Sequence, residues 1–249
     1  MSPERSRKTA PRGLYVLPTL FTVGNLFCGY LSVWYSIHGV FEWAAGLIFI
    51  AALLDGLDGR VARMTNTASA FGEEYDSLAD VVSFGMAPSI LIYFWGLSGE
   101  PDLKRLGFFV SFLFVVCGSM RLARFNIQTH VVDKRYFVGL PIPMAAAVPA
   151  ALVLAFPHVE LSRAGFFLML SLTLAMSYLM VSTIRYRSFK DLDLRRRRPI
   201  WVLPLIALLV AFVGYAHAVA LAVFAFGFAL SGPVSRAGGF VRARFRKKA

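Results

Sequence analysis

Long apolar segments, separated by short polar joints, are the feature that most restricts how this chain can fold. Of its 249 residues, 57% are hydrophobic and only 16% are charged. A membrane-spanning helix needs about 20 mainly apolar residues, so the segments predict an all-α polytopic membrane protein and exclude a large soluble domain. We expect about eight transmembrane helices, at residues 17–37, 41–63, 71–95, 105–127, 141–157, 164–184, 200–214 and 216–232.

The basic residues predict the orientation of these helices. If the amino terminus is cytoplasmic, 23 of the 26 Lys and Arg lie on the cytoplasmic side, and only Lys104, Arg105 and Arg163 lie outside. This bias follows the positive-inside rule and places both termini in the cytoplasm. The net charge of +12 then favours anionic membrane lipids as partners over nucleic acid. The four arginines at 195–198 fit either a topology determinant or a lipid-recruiting segment.

Four aspartates interrupt the second and third apolar segments, on either side of one short loop. Each would cost about 2.5–3.5 kcal/mol near the centre of a span, so they need compensating positive charge. They are spaced i,i+3 and i,i+4, and therefore form one stripe on each helix. The four are Asp55, Asp58, Asp76 and Asp80.

The distance of each aspartate from the loop predicts that the stripes meet. At about 1.5 Å per residue, Arg63 to Asp55 and Gly72 to Asp80 each span about 12 Å of helix. Antiparallel packing would therefore bring the carboxylates to one level, open to the cytoplasm. Small residues on these helices would allow close approach by a backbone or a ligand.

Four carboxylates with no nearby His or Cys form a hard oxygen site, which suits Mg²⁺, Mn²⁺ or Ca²⁺. With Arg60 and Arg63 beside them, they also suit a phosphate-bearing substrate, because divalent ions and arginine both bind phosphoryl oxygens. Three other roles fit the same residues. These are a proton relay, a cation path in a transporter, and structural ion pairs.

The spacing of these residues resembles the signature of the CDP-alcohol phosphatidyltransferase family, D-x2-D-G-x2-A-R-x8-G-x3-D-x3-D. All eight specified positions, within 26 residues, are present with the family's spacing: Asp55, Asp58, Gly59, Ala62, Arg63, Gly72, Asp76 and Asp80. The resemblance implies a core of six helices, a site facing the cytoplasm and a homodimer. The last two predicted helices would be additions to that core.

Further segments are similar to the branch of the family that makes phosphatidylserine. They lie at residues 20–29, 84–89, 139–143 and 187–191. The resemblance implies transfer of a phosphatidyl group from CDP-diacylglycerol to L-serine with release of CMP. Another acceptor, namely glycerol phosphate, inositol or choline, is the alternative within the family, and a divalent-cation transporter is a more distant one.

The resemblance also implies roles for individual residues. The four aspartates correspond to ligands of two Mg²⁺ or Mn²⁺ ions, and Asp80 is in addition the expected base. The positions that match the family's binding site for the CDP moiety are Gly59, Ala62, Arg63 and Gly72. Metal ions and arginine would stabilise charge on the diphosphate, and a carboxylate would take the proton of the attacking hydroxyl.

The acceptor site has a weaker sequence signal. Arg121 and Arg124, at i,i+3 near the inner end of the fourth predicted helix, could bind the serine carboxylate, with Asn126 close by. Alternatively, the two arginines only extend to the membrane surface and determine topology.

The predicted organisation has five parts along the chain. They are a basic cytoplasmic segment at 1–16, the six-helix catalytic core at 17–184, a basic cytoplasmic loop at 185–199, an additional helix pair at 200–232 and a basic tail at 233–249. We expect an integral protein of a bacterial cytoplasmic membrane.

Overall fold

The computed structural model of the chain describes residues 16–65, 69–128, 136–159, 161–187 and 221–233. The predicted amino-terminal segment, most of the loop at 185–199, the predicted helix at 200–214 and the basic tail lie outside the described residues.

The described residues are almost entirely helical. Six helices follow one another at the positions of the first six predicted spans, and a seventh coincides with the end of the last one. They are α1 (Val16–Ile37), α2 (Phe41–Thr65), α3 (Ala70–Leu97), α4 (Lys104–Gln128), α5 (Ile142–Ala155), α6 (Arg163–Val181) and α7 (Leu221–Pro233).

Four of these helices are long and apolar enough to cross a membrane, so the chain is an integral membrane protein. The four segments are Thr19–Ile37, Ala70–Leu97, Pro101–Ile127 and Arg163–Val181. Among the other described helices, α2 has the length of a span, but its second half is interrupted by charged residues. The α5 helix has 14 residues and contains Pro149.

Local sequence explains where the helices begin and end. Ser69 caps α3, because its hydroxyl accepts a hydrogen bond from the backbone N–H of Gly72 at 3.1 Å. Ser162 caps α6 in the same way through the N–H of Gly165. Between α1 and α2, Gly39 has a φ of 75°, a left-handed conformation that glycine adopts without the penalty of a side chain.

The α3 helix changes its winding directly after Asp80. Residues Val81–Met86 form a π-helical turn, in which the N–H of Ala87 bonds to the carbonyl of Val82. Such a turn rotates the following helix relative to the preceding one. The π-helical turn thus separates the part of α3 that carries Asp76 and Asp80 from its apolar second half.

Packing places the polar ends of several helices together. The α1 helix packs along α2 and also contacts both halves of α3, while α4 packs against α6 and α2 against α5. Few backbone contacts join α2 directly to the Ala70–Asp80 part of α3. The core between the helices is filled by side chains that are at most 1% exposed, among them Ile48, Phe84, Phe114, Ile142 and Met180.

A small two-stranded ribbon, which the sequence patterns do not predict, joins two loops at the same end of the bundle. Strand β1 (Tyr136–Val138), before α5, pairs antiparallel with β2 (Arg185–Arg187), after α6. Gly139 follows β1 with a φ of 81° and lies against the carbonyl of Met180, where no side chain fits. The ribbon therefore connects the segments that follow the carboxy-terminal ends of α4 and α6.

Candidate active site

Two helices present four carboxylates to one another. Asp55 and Asp58 lie in the second half of α2, and Asp76 and Asp80 lie in the first half of α3. One carboxylate oxygen from each of Asp55, Asp76 and Asp80 can be chosen so that all three atoms lie within 4.8 Å of one another. The structure thus brings together the two stripes that the sequence spacing describes.

Asp58 lies beside this group. It is 4% exposed, and its Oδ2 accepts a hydrogen bond from the Thr22 hydroxyl of α1 at 3.0 Å. Its carboxylate is also within hydrogen-bonding distance of the Asp76 carboxylate. Two carboxylates in such contact must share a proton or a cation, because both are otherwise acceptors only.

Asp80 is the most enclosed of the three carboxylates in the group, at 8% exposed. Its Oδ1 accepts a hydrogen bond from the Asn25 side-chain amide of α1 at 3.1 Å. Asp80 and Asp55 both interact electrostatically with the guanidinium of Arg121 on α4. Four helices therefore converge on the site.

The charges of this site are incompletely balanced within the described residues. Arg121 is 8% exposed and forms no direct ion pair among them. The Oδ1 atom of Asp76 is buried and accepts no hydrogen bond from any described residue. A buried carboxylate oxygen without a donor is unfavourable unless a cation or a ligand contacts it. The oxygen donors, their proximity and this unpartnered atom fit a hard divalent cation.

The arginines predicted to bind an acceptor line a cavity of about 330 Å³. Arg124 donates a hydrogen bond to the backbone carbonyl of Val181 at 2.9 Å, which ties α4 to the end of α6. The Arg121 guanidinium lies over the Phe125 ring at 5.3 Å from its centroid, and its Nε has no partner among the described residues. A buried cation thus lines the cavity.

Asn126 is part of the same region but points across to α3. Its side-chain amide donates to the Ser77 hydroxyl at 3.0 Å, next in sequence to Asp76. The structure therefore uses Asn126 to join α4 to α3, and Asn126 does not line the cavity of the two arginines.

The residues predicted to contact the CDP moiety lie between the carboxylates and the α2–α3 loop. Gly59 and Ala62 are half-buried on α2, and Gly72 lies in the first turn of α3. Arg63 is within α2, but its side chain is outside the described part of the chain.

Thr22 and Asn25 are site residues that the sequence analysis did not identify. They are one turn apart on α1, 5% and 0% exposed, and each contacts a carboxylate. A pair of polar residues at i,i+3 within an apolar span was the available signal, although it does not indicate which helix the pair contacts.

Comparison with known protein families gives one match over most of the chain. The model of the CDP-alcohol phosphatidyltransferase family matches residues 15–231. This range contains every residue of the carboxylate group and both arginines of the cavity.

Curated relatives are similar over comparable lengths. A CDP-diacylglycerol–serine O-phosphatidyltransferase of Helicobacter pylori is 43% identical over 203 residues, which cover 80% of this chain and 83% of the relative. An archaetidylserine synthase of Methanothermobacter thermautotrophicus is 43% identical over 172 residues, 68% of this chain and 69% of the relative. A Bacillus subtilis enzyme with the same name as the Helicobacter protein is 35% identical over 174 residues, 70% of this chain and 91% of the relative.

Proposed function

Since this chain belongs to the CDP-alcohol phosphatidyltransferase family, we propose that it transfers the phosphatidyl group of CDP-diacylglycerol to L-serine, giving phosphatidylserine and CMP. The observation that carries the proposal is the carboxylate group at the polar end of the bundle, next to a cavity with a buried arginine. The similarity to serine-transferring relatives, at 43% identity over most of both chains, supports serine as the acceptor.

The carboxylates fit the divalent cations that such a reaction requires. We assign Asp55, Asp58, Asp76 and Asp80 to hold Mg²⁺ or Mn²⁺, as two ions shared among the four side chains. When bound, the ions neutralise the diphosphate of the substrate and stabilise the charge that develops on departing CMP. The unpartnered Oδ1 of Asp76 is the protein atom that most clearly fits this role.

The nucleotide is expected on the loop side of the carboxylates. Gly59 and Ala62 have small side chains, so the cytidine and its phosphates can approach the α2 backbone. Gly72 leaves the start of α3 similarly open, and Arg63 supplies a cation for a phosphate group. This assignment extends the family signature residue by residue to the present chain.

Asp80 is proposed as the base for the chemical step. The serine hydroxyl oxygen forms a bond to the phosphorus that carries diacylglycerol, and the bond from that phosphorus to the bridging oxygen breaks. CMP leaves with the electron pair of the broken bond, while the hydroxyl proton passes to Asp80. The Asn25 amide occupies Oδ1 of Asp80, which leaves the other oxygen to receive the proton.

Serine is proposed to bind in the cavity of Arg121 and Arg124. The amino acid brings a carboxylate, and Arg121 offers a buried guanidinium at the wall of this cavity. A charge-assisted hydrogen bond to a buried guanidinium is stronger than one between neutral groups. Asn126 would support this side of the site through its contact with Ser77 on α3. Arg121 also interacts electrostatically with Asp80, the proposed base.

The proposed setting is the cytoplasmic membrane of a bacterium, with the carboxylates opening to the cytoplasm. The 23-to-3 distribution of Lys and Arg supports this orientation and a contact with anionic lipid headgroups. We propose the same division into a six-helix catalytic core at 17–184 with basic segments and carboxy-terminal helices outside it, and a homodimer as the assembly. Labelling of a single cysteine at position 190 by an impermeant reagent should require access from the cytoplasmic side.

An acceptor panel tests the function directly. Purified protein in mixed micelles receives labelled CDP-diacylglycerol, Mn²⁺ or Mg²⁺, and one of L-serine, glycerol 3-phosphate, inositol or choline. We expect labelled phosphatidylserine and equimolar CMP with L-serine only. Product formation with a different acceptor alone would replace serine while retaining the chemistry. Divalent-cation flux in proteoliposomes, with no CMP released from CDP-diacylglycerol in the presence of any acceptor, would refute the transferase.

A further inference from the structure

Two neutral side chains of α1 donate hydrogen bonds to two of the four carboxylates of the site. Thr22 donates its hydroxyl to Asp58 on α2, and Asn25 donates its amide to Asp80 on α3. Thr22 is 5% exposed and Asn25 is fully buried. A single turn of α1 therefore contacts one carboxylate on α2 and one carboxylate on α3.

The position of Asn25 is itself held by α3. Its backbone carbonyl accepts a hydrogen bond from the Ser83 hydroxyl at 2.9 Å, just beyond Asp80. One turn along α1, Gly29 allows this approach, since a Cβ there would lie 2.5 Å from the Ser83 Oγ and 2.8 Å from its Cα. The side-chain Oδ1 of Asn25 has no partner among the described residues, so the amide is oriented by its contact with Asp80.

The chemistry of these donors is informative because both are uncharged. A lysine or arginine at either position would orient a carboxylate but would also cancel charge that a divalent cation needs. A hydroxyl and an amide restrict the rotation of the carboxylate and leave its full charge. They also occupy one oxygen of each carboxylate, Oδ2 of Asp58 and Oδ1 of Asp80.

We propose that Thr22 and Asn25 are positioning residues of the transfer reaction, with different tasks. Thr22 orients Asp58 as a cation ligand, and Asn25 orients Asp80 so that one defined oxygen receives the serine proton. The proposal rests on the proposed function for the Asn25 task, whereas the Thr22 task requires only that the site binds a divalent cation.

The different tasks predict different measured effects. Removal of a residue that orients a metal ligand typically costs about 10–100-fold in metal affinity or activity. Thr22→Val keeps the side-chain shape and should weaken Mn²⁺ binding by about 10-fold, and saturating Mn²⁺ should restore most of the turnover. Asn25→Leu should lower kcat by about 10–100-fold with a smaller change in Mn²⁺ affinity, and excess Mn²⁺ should not restore it.

The experiment measures three quantities on full-length protein in detergent. Mn²⁺ affinity is determined by electron paramagnetic resonance without nucleotide lipid, CDP-diacylglycerol binding is determined at fixed Mn²⁺, and kcat and KM for serine are determined separately. The matched control is Ser32→Ala. Ser32 is also fully buried on α1 and donates to a backbone carbonyl, that of Ala44 on α2, at 2.8 Å, without contacting a carboxylate.

Conservative variants separate positioning from folding. Thr22→Ser retains the hydroxyl and should bind Mn²⁺ as the wild type does. Asn25→Gln retains the donor but moves it by one methylene, and should recover less turnover than the wild type yet more than Asn25→Leu. Melting temperatures of all variants are compared with that of Ser32→Ala.

Two outcomes would overturn the proposal. One is that Thr22→Val and Asn25→Leu match Ser32→Ala in every quantity, since the contacts would then only stabilise the fold. The other is that Thr22→Ser loses Mn²⁺ affinity as Thr22→Val does. If wild-type protein does not use serine but Thr22→Val still weakens Mn²⁺ binding, the Thr22 task stands, while the proposed acceptor and the Asn25 task are refuted.

Discussion

The carboxylate side of the site, on α2 and α3, and the arginine side, on α4, are supported in opposite ways. The carboxylates of Asp58 and Asp80 receive hydrogen bonds from neutral side chains of α1. Arg124 instead donates to a backbone carbonyl at the end of α6, and Arg121 is a buried cation that lines a cavity. The difference fits the proposed divalent-cation site on one side and the proposed serine site on the other.

Removal of divalent cations should cause the largest loss of phosphatidyl transfer among the predicted changes. Chelation should abolish phosphatidyl transfer, and Mg²⁺ or Mn²⁺ should restore it, because the carboxylates lack sufficient protein cations. Asp55→Asn should also abolish transfer, and added Mg²⁺ or Mn²⁺ should not restore it. The control is Glu74→Gln, which removes an exposed carboxylate of α3 outside the group. Full activity after rigorous removal of divalent ions would show that the carboxylates serve another purpose.

The second prediction distinguishes the roles of Asp80 and Asp58 on the carboxylate side of the site. Asp80→Asn should lower turnover by about 10²–10⁴-fold, as expected for loss of a general base, yet leave CDP-diacylglycerol binding largely intact. Asp58→Asn should weaken both, because it removes charge that the nucleotide lipid needs for binding. Binding isotherms at fixed Mg²⁺ beside serine-dependent rates provide the measurement. Equal loss of binding in the two variants would make Asp80 chiefly a ligand.

The third prediction concerns the arginine side. Arg121→Lys keeps a positive charge near Asp55 and Asp80 but loses the planar fork of donors. Because hydrogen bonds to charged groups contribute about 1.5–3 kcal/mol, KM for serine should rise by about 10–100-fold. Mn²⁺ affinity should change much less than KM for serine, because lysine keeps the positive charge. Arg105→Lys, at an exposed position near the other end of α4, is the control.

An unchanged KM for serine in Arg121→Lys would place the acceptor elsewhere. A parallel fall in Mn²⁺ affinity would instead mean that Arg121 belongs to the acidic side, and the contrast between the two sides would fail.

The smallest expected effect is that of a substitution in strand β2 of the ribbon, which follows α6. The Tyr186 hydroxyl donates to the carbonyl of Ala229 on α7 at 3.1 Å, and its ring stacks on Phe228. Burial of this side chain, which is 1% exposed, raises its pKa to about 12, so the hydroxyl remains a donor at neutral pH. Gly232 lies under the ring, where a Cβ would overlap it.

Tyr186→Phe should lower stability by about 1 kcal/mol, the usual contribution of one hydrogen bond. We expect a melting temperature a few degrees lower, with Mn²⁺ affinity unchanged, because the Tyr186 hydroxyl bonds to α7 and not to a carboxylate of the site. Tyr178→Phe, on an exposed face of α6, is the matched control. An effect on Mn²⁺ affinity would mean that the ribbon also supports the carboxylates.

Much of the fold was predictable because it depends on local patterns. The first six predicted spans coincide with α1 to α6 within a few residues, since apolar length and Gly or Pro breaks act over one or two turns. The family was predictable from eight positions of one motif, and the match over residues 15–231 confirms it. The ribbon was not predictable, because each strand has three residues and pairs with a segment almost 50 positions away in the chain.

By itself, the sequence determined the helical membrane architecture, the family and the level at which the four aspartates lie on their helices. Helical periodicity and rise per residue are enough for these conclusions, because both operate within one segment. Only the tertiary structure decided that Thr22 reaches Asp58, 36 residues away, and that Asn25 reaches Asp80, 55 residues away. It also decided that Arg121 faces Asp55 and Asp80, whereas Asn126 turns to Ser77. These contacts depend on how each helix is rotated against its neighbours, which is set by packing throughout the bundle and not by the spacing of residues on one helix.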